Sequence, residues 1–173
     1  EGRELMRNLA ILAGGDPLRA RIVSLNDLVT NAVSGAGKPV ELDLSGEDPA
    51  VELDVWLAQD AFSSVAKYMM DASSVSSLRV ATRQVGGAVA LTLEDDGGSL
   101  SDKELRQLFA PFAKANRRPK GGIGLTKLAD LASRFGGNVV ASRREPSGLR
   151  IVLTLPVASS GDGPSVTLTK KSV

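Results

Sequence analysis

Between Ala88 and Pro156 the sequence fixes the order in which strands, helices and tight turns must follow one another. Val89, Leu91 and Leu93 alternate with smaller or polar residues and run into Glu94-Asp95-Asp96-Gly97-Gly98, so this strand stops in acid and glycine. Leu108-Phe-Ala-Pro-Phe112 follows, then a basic loop that opens onto a glycine-rich helix start, Lys120-Gly-Gly-Ile-Gly-Leu125. Gly136-Gly137, twelve residues after Gly124, offers a C-terminal cap for that helix. Strands at 139–143 and 149–155 complete the region, and Leu149, Ile151, Leu153 and Leu155 give the cleanest alternation in the chain.

The rest of the sequence supplies partners for this core. Leu5, Leu9 and Leu12, with Met6 beside them, predict an amphipathic helix that Gly14-Gly15-Asp16-Pro17 stops. Ser24, with Asp27 three residues on, predicts a short capped helix through about Val33. Val40, Leu42 and Leu44 predict a half-buried strand, and Gly46 to Pro49 turn the chain into a short partner over 51–53. From Asp54 to about Ser73, Leu57, Ala61, Val65, Tyr68, Met69 and Ala72 fall along one helical side. Strands at 78–84 and 88–93 meet at Gly86-Gly87 as a hairpin, and residues 102–109 read as a short helix. Hairpins between neighbouring strands, with helices between strand groups, predict an α+β fold. It is a two-layer α/β sandwich whose mixed, mostly antiparallel sheet carries its helices on one face.

Composition narrows the chemistry. The 173 residues suit one domain of ordinary core size. A formal charge of +1 gives no global field toward nucleic acid or membrane, so neither is expected as a partner of this chain. Without cysteine there are no disulfides or thiolate metal sites, in keeping with a reducing compartment. Without histidine there is no imidazole base, ligand or phosphoacceptor. No apolar run reaches the length of a membrane span. The chain starts at Glu1 already reading as helix, which suggests a piece of something longer.

Asp95 shares strand parity with Val89, Leu91 and Leu93, so its carboxylate is expected to point inward. An inward acid needs a donor, and the amino group of a purine would be one. Taken alone, the Asp-Gly sequence reads more readily as an exposed turn. The downstream glycines favour the inward reading, because Gly121, Gly122 and Gly124 let backbone N–H groups at a helix start approach phosphate oxygens. Lys114, Arg117, Arg118 and Lys120 make the intervening loop basic, suited to phosphate or simply to solvent. On the 54–73 helix, Ser64, Lys67 and Asp71 form a polar stripe beside the apolar side.

In this order and spacing the chain resembles the ATP-binding domain of sensor histidine kinases, in the ATPase superfamily shared with type II topoisomerases and mismatch-repair proteins. The resemblance covers about residues 1–157. It implies that Asp95 reads adenine, with Gly97 in the adjoining glycine box. It also implies that Gly121, Gly122, Gly124 and Leu125 form the phosphate-side helix start, and that Lys114, Arg117, Arg118 and Lys120 lie on the lid over the nucleotide. Phe109 and Phe112 would pack and anchor the hinge of that lid. ATP and Mg²⁺ are the implied cofactors. The family carries two asparagines four apart on the preceding helix; matching Met69-Met-Asp-Ala72 puts Lys67 at the first and Asp71, the magnesium ligand, at the second. A register with Ser64 at the second leaves too long a gap before Asp95.

Lys67, Asp71, Ser99 and Lys120 depart from the family pattern, as does Val75 where a tyrosine is often found. The implied domains are 1–17, the end of a dimerisation helix and linker, 18–157, the ATPase domain, and 158–173, a Ser-, Gly- and Pro-bearing tail. The implied activity is that of a histidine protein kinase, moving the γ-phosphoryl of ATP to a histidine outside this chain. Its partners would be a response regulator or histidine phosphotransfer protein, with a homodimer formed through an upstream helical domain. A cytoplasmic location follows, with the full-length protein free to be membrane-anchored. The alternative reading is a degenerate pseudokinase or signalling scaffold acting through protein contacts. An anti-sigma-factor serine kinase is a third, against which the N-terminal helix argues.

Overall fold

The computed structural model of the protein describes residues 19–109 and 123–158. The predicted N-terminal helix, Phe112, the basic loop and the tail beyond Ala158 lie outside them. In chain order the elements are β1 (Ala20–Ser24), α1 (Leu25–Val33), β2 (Val40–Asp43), β3 (Ala50–Asp54), α2 (Val55–Met70), β4 (Leu78–Val85), β5 (Ala88–Asp95), α3 (Asp102–Gln107), α4 (Ile123–Arg134), β6 (Asn138–Arg143) and β7 (Leu149–Pro156). Five strands form one sheet in the order β2-β4-β5-β7-β6, antiparallel except for the parallel β2–β4 pair. β1 and β3 form a separate antiparallel ribbon.

Strand alternation decides which face is covered. Leu78 and Val80 on β4, Val89, Leu91 and Leu93 on β5, and Leu149, Ile151, Leu153 and Leu155 on β7 all turn to one side and are buried. On that side lie α1, α2 and α4, whose Leu25, Leu28, Phe62, Val65, Met69, Leu125, Leu128 and Leu131 complete the core. Each such leucine contributes about 1.5–3 kcal/mol by leaving water. The fold is the expected α+β sandwich with a mixed, mostly antiparallel sheet and helices on one face.

Local chemistry sets the helix ends. Ser24 Oγ accepts from the Asp27 N–H at the start of α1 (3.1 Å). Asp54 caps α2 by accepting from the N–H groups of Trp56 and Leu57, and its other oxygen accepts from the N–H of Arg19. Ser101 and Glu104 form a reciprocal capping box on α3. Gly136, at φ 71, ends α4 as its cap.

Two expectations are corrected. The 51–53 segment does not pair with the strand at 40–43; it belongs to β3 and pairs with β1, while β2 joins β4 in parallel. The sequence reading missed β1 because Ala20-Arg-Ile-Val-Ser24 is short, mostly exposed and runs straight into the α1 cap. The helix from Asp54 ends at Met70 instead of Ser73. Beyond it the Lys38 ammonium donates to the carbonyls of Ala72 (3.0 Å) and Val75 (2.6 Å), fixing a non-helical exit.

Candidate active site

β5 delivers Asp95 to the end of the sheet with its side chain on the core side, in line with Val89, Leu91 and Leu93. The residue is 0% exposed. A buried carboxylate needs donors, and Oδ1 accepts from the backbone N–H groups of Gly97 (3.0 Å) and Leu149 (3.1 Å). The first donor comes from the turn after β5, the second from the start of β7. Glycine is required on both sides of this acid. A Cβ on Gly97 would stand 2.6 Å from Val75 Cγ2 and 3.3 Å from Asp95 Oδ1. Gly148 has φ 119, and a Cβ there would fall 2.0 Å from the Asp95 carbonyl oxygen.

The exit of α2 is stapled to the same turn. Asp96 accepts from the N–H groups of Ser76 (2.8 Å) and Ser77 (3.1 Å) and from both hydroxyls. The Ser76 hydroxyl, followed by the two backbone donors, holds the Asp96 carboxyl far below the usual carboxylate range despite some desolvation. The Gly98 N–H donates to Ser74 Oγ at 3.2 Å. Segment 71–77 is therefore held by Lys38 on one flank and Asp96 on the other, beside the turn that follows Asp95.

Asp71 is the C-cap of α2, its N–H bonded to the Lys67 carbonyl (2.8 Å), and both side chains are exposed. Ser64 lies two turns before Asp71 and is half-buried. Lys127 of α4 pairs with Asp60 of α2 at 2.8 Å, so the first turns of α4 lie beside the body of α2. The far end of α4 reaches Gly136, 3.8 Å from Pro156 when given a Cβ, and Pro156 is paired with Ala88 at the opposite end of β5 from Asp95. Helix α4, about 18 Å long, thus ends beside the Ala88 end of β5, with its first turns against α2.

Gly124 lies within that first turn and Leu125 is fully buried beneath it, so Leu125 packs in the core. Gly121, Gly122, Lys114, Arg117, Arg118 and Lys120 fall outside the described residues. Phe109 packs against the core as expected. Val75 is buried and Ser99 exposed. Sequence reasoning missed Lys38, Asp96, Arg144 and Gly148. Of these only Gly148 carried a signal, in the Glu-Pro-Ser-Gly turn before the last strand.

A family model described as histidine kinase-, DNA gyrase B-, and HSP90-like ATPase matches residues 56–159. The chain belongs to that ATPase family. Within it, the chain is 37% identical over 70 residues to the sensor histidine kinase GtrS of Pseudomonas aeruginosa, covering 40% of this chain and 15% of that protein. It is 24% identical over 120 residues to the alginate biosynthesis sensor protein KinB of the same species, covering 68% of this chain and 20% of that one. The chain thus spans about a fifth or less of these relatives. Among solved structures the ATPase fold recurs in a mycobacterial sensor histidine kinase, MprB, with a TM-score of 0.70 at 18% identity, over 82% of this chain and 99% of that one. The ATP-binding domain of PrrB from Mycobacterium tuberculosis gives 0.68 at 19%, over 81% and 98%.

This ATPase domain fits the nucleotide its family takes. Asp95 is a buried acceptor-only group, of the kind an amino donor pairs with, and Gly97 packs closely against Val75 beside it. For Mg²⁺ the donor set is one exposed carboxylate, Asp71, which suits an ion that takes one or two carboxylates and completes its shell with phosphate and water. Among the described residues no group of three or more acidic ligands gathers, and no helix is long and apolar enough to cross a membrane.

Proposed function

We propose that this chain is the ATP-binding, catalytic domain of a sensor histidine kinase, passing the γ-phosphoryl of ATP to a histidine on another segment or subunit in two-component signalling. The observation that carries the reading is Asp95, wholly buried at a strand end and oriented by two backbone N–H groups. Its carboxylate accepts from the adenine amino group. Asp71 holds Mg²⁺, and the Lys67 ammonium one turn earlier offsets the charge that an aspartate adds beside a triphosphate. Gly121, Gly122 and Gly124 offer backbone donors to phosphate, and Lys114, Arg117, Arg118 and Lys120 cover it. Bound Mg-ATP supplies the phosphoryl group itself. A site with no nucleophile of its own suits this reaction, which asks chiefly for alignment and charge neutralisation. A response regulator or phosphotransfer protein and a homodimer belong to the same reading, as do the domain limits 1–17, 18–157 and 158–173.

A second reading, a degenerate domain acting through protein contacts, is motivated by the same end of α2. Lys67 offers no acceptor and Asp71 no donor. Isothermal titration with ATP, with and without Mg²⁺, separates the two. The kinase reading expects Mg²⁺-dependent binding, at least tenfold weaker in Asp95→Ala and stripped of its Mg²⁺ dependence in Asp71→Ala. Equal binding by wild type and Asp95→Ala refutes the adenine assignment; weak binding indifferent to Mg²⁺ favours the scaffold.

A further inference from the structure

Asp95 is flanked by an acid that the proposed reaction does not use. Glu94 points to the opposite face of the sheet, away from the helices, yet it is only 5% exposed. Its burial comes from two arginines of the closing hairpin. Arg150 donates to Glu94 Oε1 from both Nε and Nη2 at 2.5 Å, and Arg144 Nε lies 3.7 Å from Oε2. Arg144 also reaches across to Asp95 itself, donating from Nη1 to its carbonyl oxygen at 3.2 Å. The hairpin therefore holds residues 94 and 95 from both faces of the strand. Arg144 and Arg150 grip the outer side, and the Leu149 N–H holds the inner carboxylate, with Gly148 pressed against the Asp95 carbonyl.

We infer that Glu94 and Arg144 are positioning residues that set the orientation of the Asp95 carboxylate and thereby the selectivity of the site for adenine over guanine. The inference rests on the nucleotide reading above. An acceptor-only group discriminates bases by where its oxygen sits. Adenine offers an amino donor at the position where guanine offers a carbonyl acceptor, which a carboxylate repels. A carboxylate oxygen fixed by two N–H donors keeps that distinction sharp only while the Leu149 donor stays in place. Leu149 follows the hairpin turn just beyond the last pair of the β5–β7 ladder, Glu94 with Arg150, and there Arg144 adds side-chain ties to Glu94 and to the Asp95 carbonyl. Guanidinium groups suit the task, because their forked donors span the Glu94 carboxylate and the Asp95 carbonyl together.

The test is the ratio of ATP to GTP affinity, measured by titration on the full chain for wild type, Asp95→Ala, Arg144→Ala and Glu94→Gln. Both nucleotides carry the same phosphates, so contacts to the triphosphate, and any general loss of folded protein, cancel in the ratio. We expect Arg144→Ala and Glu94→Gln each to lower the ratio about tenfold, the scale of one misplaced hydrogen bond to a charged group. Neither should lower it further in an Asp95→Ala background. If Asp95→Ala collapses the ratio and the two positioning variants leave it at the wild-type value, the inference is overturned while the nucleotide reading stands. If Asp95→Ala leaves the ratio unchanged, the adenine assignment itself has failed, and the positioning role falls with it.

Discussion

At its Asp95 end, β5 is met by side chains and backbone donors from segments far apart in sequence: Ser76 and Ser77 on Asp96, Leu149 and Arg144 on Asp95, Arg150 on Glu94. At its Ala88 end, the neighbours are held by main-chain contacts: the Val157 N–H to the Gly87 carbonyl at 2.9 Å, and a bridge between Val51 and Val157. Apolar side chains stand in the open near that end, Val85 beside the hairpin and Trp56 on the first turn of α2, the latter 80% exposed. The contrast teaches where the fold has invested specificity. Backbone ladders tolerate many sequences, whereas a carboxylate buried among directed donors tolerates few.

The sharpest way to break the contrast uses two glycines at positive φ, one on each side. Gly148→Ala puts a methyl group onto the Asp95 carbonyl and should destabilise the domain by roughly 3 kcal/mol or more, as overpacking and backbone strain combine. Gly86→Ala, at φ 58 with nothing within 4 Å, meets only the conformational penalty and should cost about 1 kcal/mol. Urea denaturation of the two variants reads the difference directly, and similar losses would show that the two ends are built alike. An intermediate effect is expected at Asp96. Its carboxyl titrates lower in the fold than in the unfolded chain, so its contribution is complete above about pH 4 and fades as pH falls toward the folded value. The stability advantage of wild type over Asp96→Asn should therefore be present at pH 7 and shrink below pH ~4; an advantage that grows in acid contradicts the staple. The smallest effect belongs to Trp56→Ser, expected within about 0.5 kcal/mol because so little of the indole is buried. A larger loss would mean that Trp56 is covered in the folded chain.

Much of the sheet was legible because period-2 alternation marks strands with one covered face, as in Leu149, Ile151, Leu153 and Leu155. Asp95 was legible for the same reason, since its parity matched three core residues. The ribbon was not. Ala20-Arg-Ile-Val-Ser24 buries none of its residues fully, so no hydrophobic pattern announced it, and the partner of β3 was misassigned to the neighbouring strand. The ties around the candidate site were also hidden, because Lys38, Asp96 and Arg144 act on residues 19 to 49 positions away. A charged side chain that caps a distant loop looks in sequence like any solvated charge. The likeness to an ATPase family reached the nucleotide side of the molecule but carried no information about these ties.

The Asp54 carboxylate, shared between Arg19 and the first turn of α2, couples two places that a linear description keeps apart. Whatever precedes Arg19 joins the domain at the root of the helix whose opposite tip bears Lys67 and Asp71. One carboxylate thus ties the start of the described chain to the base of a sixteen-residue helix.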